Sequence, residues 1–234
     1  MRGCLFVLVI GLAFLTAGAW FGAPLIASQL IATGLQTAGL QATSSTVRVT
    51  SSPPLELLLG HADRVEIVAT DVTVRTVKAA GLDLVLADVD LLNRTAAGIS
   101  GRISGVAVTT TDGQPASAEV DISGVPTAAA ASIMVDSSTI DRIVRSKFQK
   151  AFGVSVSTTA LVAPDVLRIG VLGASIDGRL TIDSSGSLAI VTRFGSARIL
   201  SLDPSLPIRL RSVRVDAGRL LIESTIDAQA LLGS

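Results

Sequence analysis

The chain is poor in aromatic side chains: no tyrosine, one tryptophan and six phenylalanines, 3% of 234 residues. Its interior must therefore be built from Leu, Val, Ile and Ala. Aliphatic walls with few polar handles suit flexible acyl chains better than a polar metabolite. One cysteine excludes a disulfide within the chain, and one histidine beside it excludes a Cys/His zinc site of ordinary ligand count. Charge is scarce as well. Charged types make up 16%, and 19 basic residues balance 19 acidic ones. No global field recruits nucleic acid or acidic partners. Most of the vocabulary of catalysis is missing, and neither a cofactor nor a metal is expected.

Apolar residues fill the space left by these absences, at 49% of the chain with a mean hydropathy of +0.62. After Arg2 no charge occurs until Arg48. Residues 3–21, GCLFVLVIGLAFLTAGAWF, form an uncharged run of about 19 residues, close to the ~30 Å needed to cross a bilayer as a helix. Arg2 and the free amine keep the N-terminus cytoplasmic, which places everything downstream outside. Trp20 and Phe21 suit the outer interface. A cleaved signal peptide, processed near Ala17 to Ala19, is the competing reading. Either way residues 1–23 stand apart from the body. Residues 24–42 follow as an amphipathic segment, with Pro24 at a helix start and Gly39 at its stop.

From Ser44 the dominant period is two. STVRVTS alternates cleanly. RVEIVATDVTV carries Val65, Ile67 and Ala69 on one face and then changes phase to Val72 and Val74, as a bulge requires. GLDLVLADVDLL sets Leu82, Leu84 and Leu86 against Val85, Ala87, Val89 and Leu91. Turn signals stand at Asp112-Gly113, Ser184-Ser185-Gly186 and Ala217-Gly218. One helix interrupts the strands. DSSTIDRIVRSKFQKAFG opens on cap candidates from Asp136 and stops at Gly153. Ile140, Ile143, Val144, Phe148 and Phe152 share its apolar stripe. Arg142, Arg145, Lys147 and Lys150 lie toward its C-terminal half, where they complement the helix dipole. The stripe reads as core packing or as a lipid-facing surface beside cations that meet anionic headgroups. The fold class is α+β: a long curved antiparallel sheet wrapped around one or two apolar helices, over residues 43–234.

The lone His61 reads as a residue of an exposed connector between a short turn, LELLL, and a strand beginning at Val65. No nucleophile-elbow context accompanies it. Asp83, Asp88 and Asp90 are the nearest thing to clustered acids, with Asp83 on the opposite strand face from the other two. DSSGS at 183–187 is a hairpin turn that lacks the ligand count of a calcium loop.

Taken in order, PPLELLLGHADRVEIVATDV, GLDLVLADVDL, AEVDISG, ASIMVDSSTIDRIVRSKF and LPIRLRSVRVDAGRLLIEST resemble the LmeA-like phospholipid-binding family of actinobacterial cell envelopes. Their order and spacing carry the resemblance over nearly the whole chain. It implies a tubular lipid-binding type of fold and an extracytoplasmic protein that holds phospholipid in an apolar tube and serves envelope or glycolipid assembly. Leu82, Leu84, Leu86, Ile140, Ile143, Val144, Phe148 and Phe152 are then candidates for the lining. Arg142, Arg145, Lys147 and Lys150 are candidates for an anionic headgroup. The rival is a non-enzymatic envelope protein with a solid core.

Overall fold

The alternating segments become strands, and the connections between them are short. The structure, a computed structural model, describes residues 28–29, 33, 40–74, 77–109, 115–200, 207–228 and 230. The first sheet opens with β1 (Leu40–Gln41), β2 (Ser44–Thr50), β3 (His61–Val74), β4 (Val77–Asp90), β5 (Thr95–Thr109), β6 (Pro115–Gly124) and β7 (Ala129–Val135). Helix α1 (Ser137–Phe152) leads to a second sheet of β8 (Val156–Val162), β9 (Val166–Val171), β10 (Ala174–Ile182), β11 (Leu188–Thr192) and β12 (Gly195–Leu200). The chain then returns to the first sheet as β13 (Ile208–Asp216) and β14 (Arg219–Ile226).

All described pairings are antiparallel. The first sheet runs β1-β3-β4-β5-β6-β7-β14-β13, with β2 pairing with β3 alongside β1; the second runs β12-β11-β10-β9-β8. The fold is thus mostly antiparallel sheet with few helices. The expected anchor and the turn at Asp112-Gly113 lie outside the described residues. Of the segment 24–42, Ser28, Gln29 and Thr33 are helical, and the Thr33 hydroxyl donates to the Gln29 carbonyl at 2.9 Å. Among the described residues no helix is long and apolar enough to cross a membrane.

The phase change read in RVEIVATDVTV has a backbone cause. Asp71 adopts φ 50°, and the buried set on β3 passes from Ala69 to Val72 across it. The register Thr70↔Gly81 and Val72↔Ala79 is kept, so β4 changes phase at the same place, from Ala79 to Leu82. On β5 the row continues at Gly105 (φ 61°), where the β5–β6 register shifts between Ile103 and Val106. A second break at Asp88 (φ 47°) brings Val89 to the buried side of β4. Val89 therefore joins the face of Leu82 and not the opposite one. Aligned irregularities of this kind bend strands and increase local twist, which curves the sheet.

Two aliphatic cores result. The first gathers the inner face of β3, β4, β5 and β6 with Val49, Leu57, Ala129, Ala131, Ile226 and Ala228. The second gathers Ile140, Ile143 and Val144 of α1 with Val135, Leu167, Ile169, Leu180, Leu188, Ile190, Leu220 and Ile222. Ile133 and Ile208 pack against both.

Outside, arginines meet carboxylates across strands. Arg102 and Arg168 form two-pronged pairs with Asp121 and Asp177. Arg198 reaches Asp183 at 2.9 Å. Such exposed pairs contribute little to stability, because water and salt screen them. The Asp183 carboxylate also receives the Ser185 hydroxyl (2.5 Å) and the backbone N–H groups of Ser185 and Ser187. With the Ser185 hydroxyl foremost, these bonds hold its pKa far below the ordinary value. Asp177 is lowered chiefly by its bond from Arg168, and Asp90 by the N–H of Asn93. A carboxylate whose folded pKa is depressed stabilises the fold above its unfolded value, about 3.8–3.9, and loses that contribution as pH falls. The melting temperature should accordingly be insensitive to these groups from pH 8 to 5 and decline below about pH 4. Asp183→Asn should flatten that decline. A melting temperature unchanged from pH 6 to 3 would contradict the assignment.

Candidate functional site

Among the described residues, the inner face of the first sheet builds one of the two aliphatic cores. Ala62, Val65, Ile67, Ala69, Val72, Leu82, Val89, Ile99, Val120 and Ile122 are all buried on it. Every described residue of this core belongs to the sheet, to the turn before β3 or to the segment after β14. Each fully buried Val, Leu or Ile side chain contributes roughly 1.5–3 kcal/mol to this core.

One end of this face is apolar on the outside too. Pro54–Leu59 form a 3-10 turn, opened by Pro54 and closed by Gly60 in the left-handed region at φ 81°. Leu57 points into the first core at 7% exposure, while Leu58, Leu59 and Leu92 stand 62%, 76% and 77% exposed. The Leu91 N–H bonds the Gly60 carbonyl at 2.8 Å and fastens the β4–β5 turn against this corner. The leucine run in the sequence thus serves both surfaces.

The residues expected to line a site divide between the two cores. Leu82 is buried in the first, with Leu84 and Leu86 half-buried against it. Ile140, Ile143 and Val144 are buried in the second, and Phe148 packs against them. Phe152 ends α1, and its side chain lies outside the described residues. Helix α1 lies closest to β8, β12 and β6, and its buried face shares the second core with Val135, Leu220 and Ile222 of the first sheet.

A family model, LmeA-like phospholipid-binding, matches residues 18–225. The chain belongs to that family. No curated protein and no solved structure matches it.

Of the four α1 cations, Arg145 is committed to structure. Its Nε meets Asp141 at 2.8 Å, and its remaining nitrogens donate to the carbonyls of Val156 (2.5 Å) and Ser157 (3.0 Å). Asp141, which also accepts the Thr159 hydroxyl, is held below its usual pKa first by Arg145. This cluster ties α1 to the start of β8. Arg142 and Lys150 are exposed and Lys147 is half-buried.

Two readings of short motifs change. His61 is the first residue of β3, paired in register with Asp90, and not part of a connector. It also lies beside Glu56 and Asp63, a grouping that the spacing of five and two residues did not announce. The turn at Gly60 is what folds Glu56 back over the strand. Of the aspartates, Asp90 caps the turn through the N–H groups of Leu92 and Asn93, both at 2.9 Å. Asp83 faces Arg102 across β4 and β5. Two depressions open on the described surface. One, about 630 Å³ and open, is lined by Arg168, Ser175, Ile176, Asp177 and Arg193; the other, about 100 Å³, lies beside Glu119, Asp136 and Arg219. Charged side chains line both.

Proposed function

We propose that the protein is a membrane-anchored, extracytoplasmic phospholipid-binding protein that seats acyl chains against the inner face of its first sheet, as in a tube. Its role is to support assembly of envelope lipid or glycolipid, without catalysis. One observation carries this reading: a broad aliphatic inner face on the first sheet, which we read as a lipid trough, ending beside Leu57 at an exposed leucine corner. Each methylene moved from water into such a trough gains about 0.8 kcal/mol. A chain already in a bilayer is equally dry, so extraction has little net hydrophobic drive. Proximity must supply what affinity does not. The apolar run at residues 3–21 supports an anchor that holds the domain beside the bilayer, with the leucine corner as the lip through which chains slide.

The headgroup reading rests on the cluster of cations on α1, of which Arg145 is kept in the test because it also ties α1 to β8. Anionic lipids are the proposed ligands on this charge. Neutralising Arg142, Lys147 and Lys150 together, with Arg145 retained, should reduce binding to anionic vesicles about tenfold, at roughly 1 kcal/mol per cation partly screened by salt. Binding to zwitterionic vesicles should not change. Equal loss on both, or none on either, would remove the headgroup role. The close packing of the trough favours a second reading, an envelope protein with a solid core, which predicts no bound lipid at all.

A further inference from the structure

The chain's single histidine stands in a mixed nitrogen and oxygen donor set. One ligand atom each from Glu56, His61 and Asp63 lies within 4.8 Å of the other two. His61 and Asp63 are two apart on β3 and share a strand face, and the bend at Gly60 returns Glu56 to that face. We propose that these three side chains bind a first-row divalent cation of the zinc type.

The chemistry fits that class. Imidazole nitrogen with two carboxylates is a borderline donor set, better matched to zinc than to magnesium or calcium, which prefer all-oxygen shells. Three protein donors leave positions for water, as in open zinc sites. Ligand atoms around a tetrahedral zinc at ~2.1 Å are spaced ~3.4 Å apart, so small side-chain rotations close the set. The carboxylates are already oriented from behind. The Ser52 N–H donates to Asp63 Oδ2 at 2.7 Å, and the Ser51 hydroxyl donates to Glu56 Oε2 at 3.2 Å. Each of these bonds engages one carboxylate oxygen, and a carboxylate has a second to offer a metal. Asp90, opposite His61 in register, adds negative potential beside the site. A bound cation joins the 51–60 segment to β3, and so steadies the leucine corner that this segment carries. The site itself does not depend on lipid binding.

A single histidine gives one imidazole signal set, which makes the test direct. The full-length chain in detergent micelles is titrated with zinc chloride, with magnesium chloride as the comparison, and followed by NMR of the imidazole protons and by calorimetry. The expected result is saturable movement of the His61 signals at one equivalent of zinc, with none from magnesium. His61→Ala and Glu56→Gln should each weaken zinc binding on the order of tenfold or more, while Asp83→Asn, on another part of the sheet, leaves it unchanged. His61 signals that stay fixed up to millimolar zinc in folded protein would overturn the site. So would undiminished zinc binding in both variants.

Discussion

Replacing Gly101 with alanine is expected to lower the melting temperature by about 6–12 °C. Gly101 sits in β5 between Leu84 of β4 and Ile122 of β6, in the middle of the first sheet. A Cβ there would lie 2.1 Å from the Asp83 carbonyl oxygen and 2.8 Å from the Leu84 Cα. Both obstacles are backbone, so no side-chain rotation relieves the clash. The strands must part or the chain must bend, at a cost of about 3 kcal/mol. At ~2–4 °C per kcal/mol for a domain of this size, that gives the stated fall. Thermal unfolding by circular dichroism checks it. An unchanged midpoint would mean that β4 and β5 do not approach as described.

Ile222→Ala should cost a similar amount by the opposite route. Ile222 is fully buried in β14, between Ile133 of β7 and Val213 of β13. Ile133 packs against both cores, so the cavity opens at their junction. Truncations of this kind cost about 2–5 kcal/mol, depending on how far the surroundings collapse. Urea unfolding should show a lower midpoint, whereas Val191→Ala, at a 45% exposed position, should change stability by less than about 0.5 kcal/mol. Equal effects from the two would show that the second core is not packed as described.

The strands were legible because most connections are local and the apolar residues alternate. Ala217 and Gly218, at φ 47° and 75°, form the turn that their dipeptide announces. Gly153, at φ 65°, ends α1 where the sequence places the stop. The phase change before Val72 was equally visible, since a strand cannot keep one face buried through it without a bulge. The same device at Asp88 was missed, because the leucines before it and the valine after it satisfy either face.

The site was less legible for a different reason. Leu82 and Ile143 are both apolar residues with the right period, yet they serve separate cores. Periodicity reports that a face is buried and not which partner covers it. Arg145 looked like its neighbours Arg142 and Lys147 in sequence. Only the fold brings the carbonyls of Val156 and Ser157 within its reach. His61 belongs to the same class of miss: its neighbours in space are set by the turn at Gly60.

The central claim is that the inner face of the first sheet takes up phospholipid. Mass spectrometry of organic extracts, from protein purified without detergent after export to the periplasm, tests it most directly. Chains starting at Ser44 and at Pro24 are compared, so that residues 24–43 are present in one and absent in the other. The account predicts phospholipid near one equivalent in at least one preparation, richer in anionic species than the membrane it came from. Folded protein that is lipid-free in both, and stays so after incubation with liposomes, would contradict it.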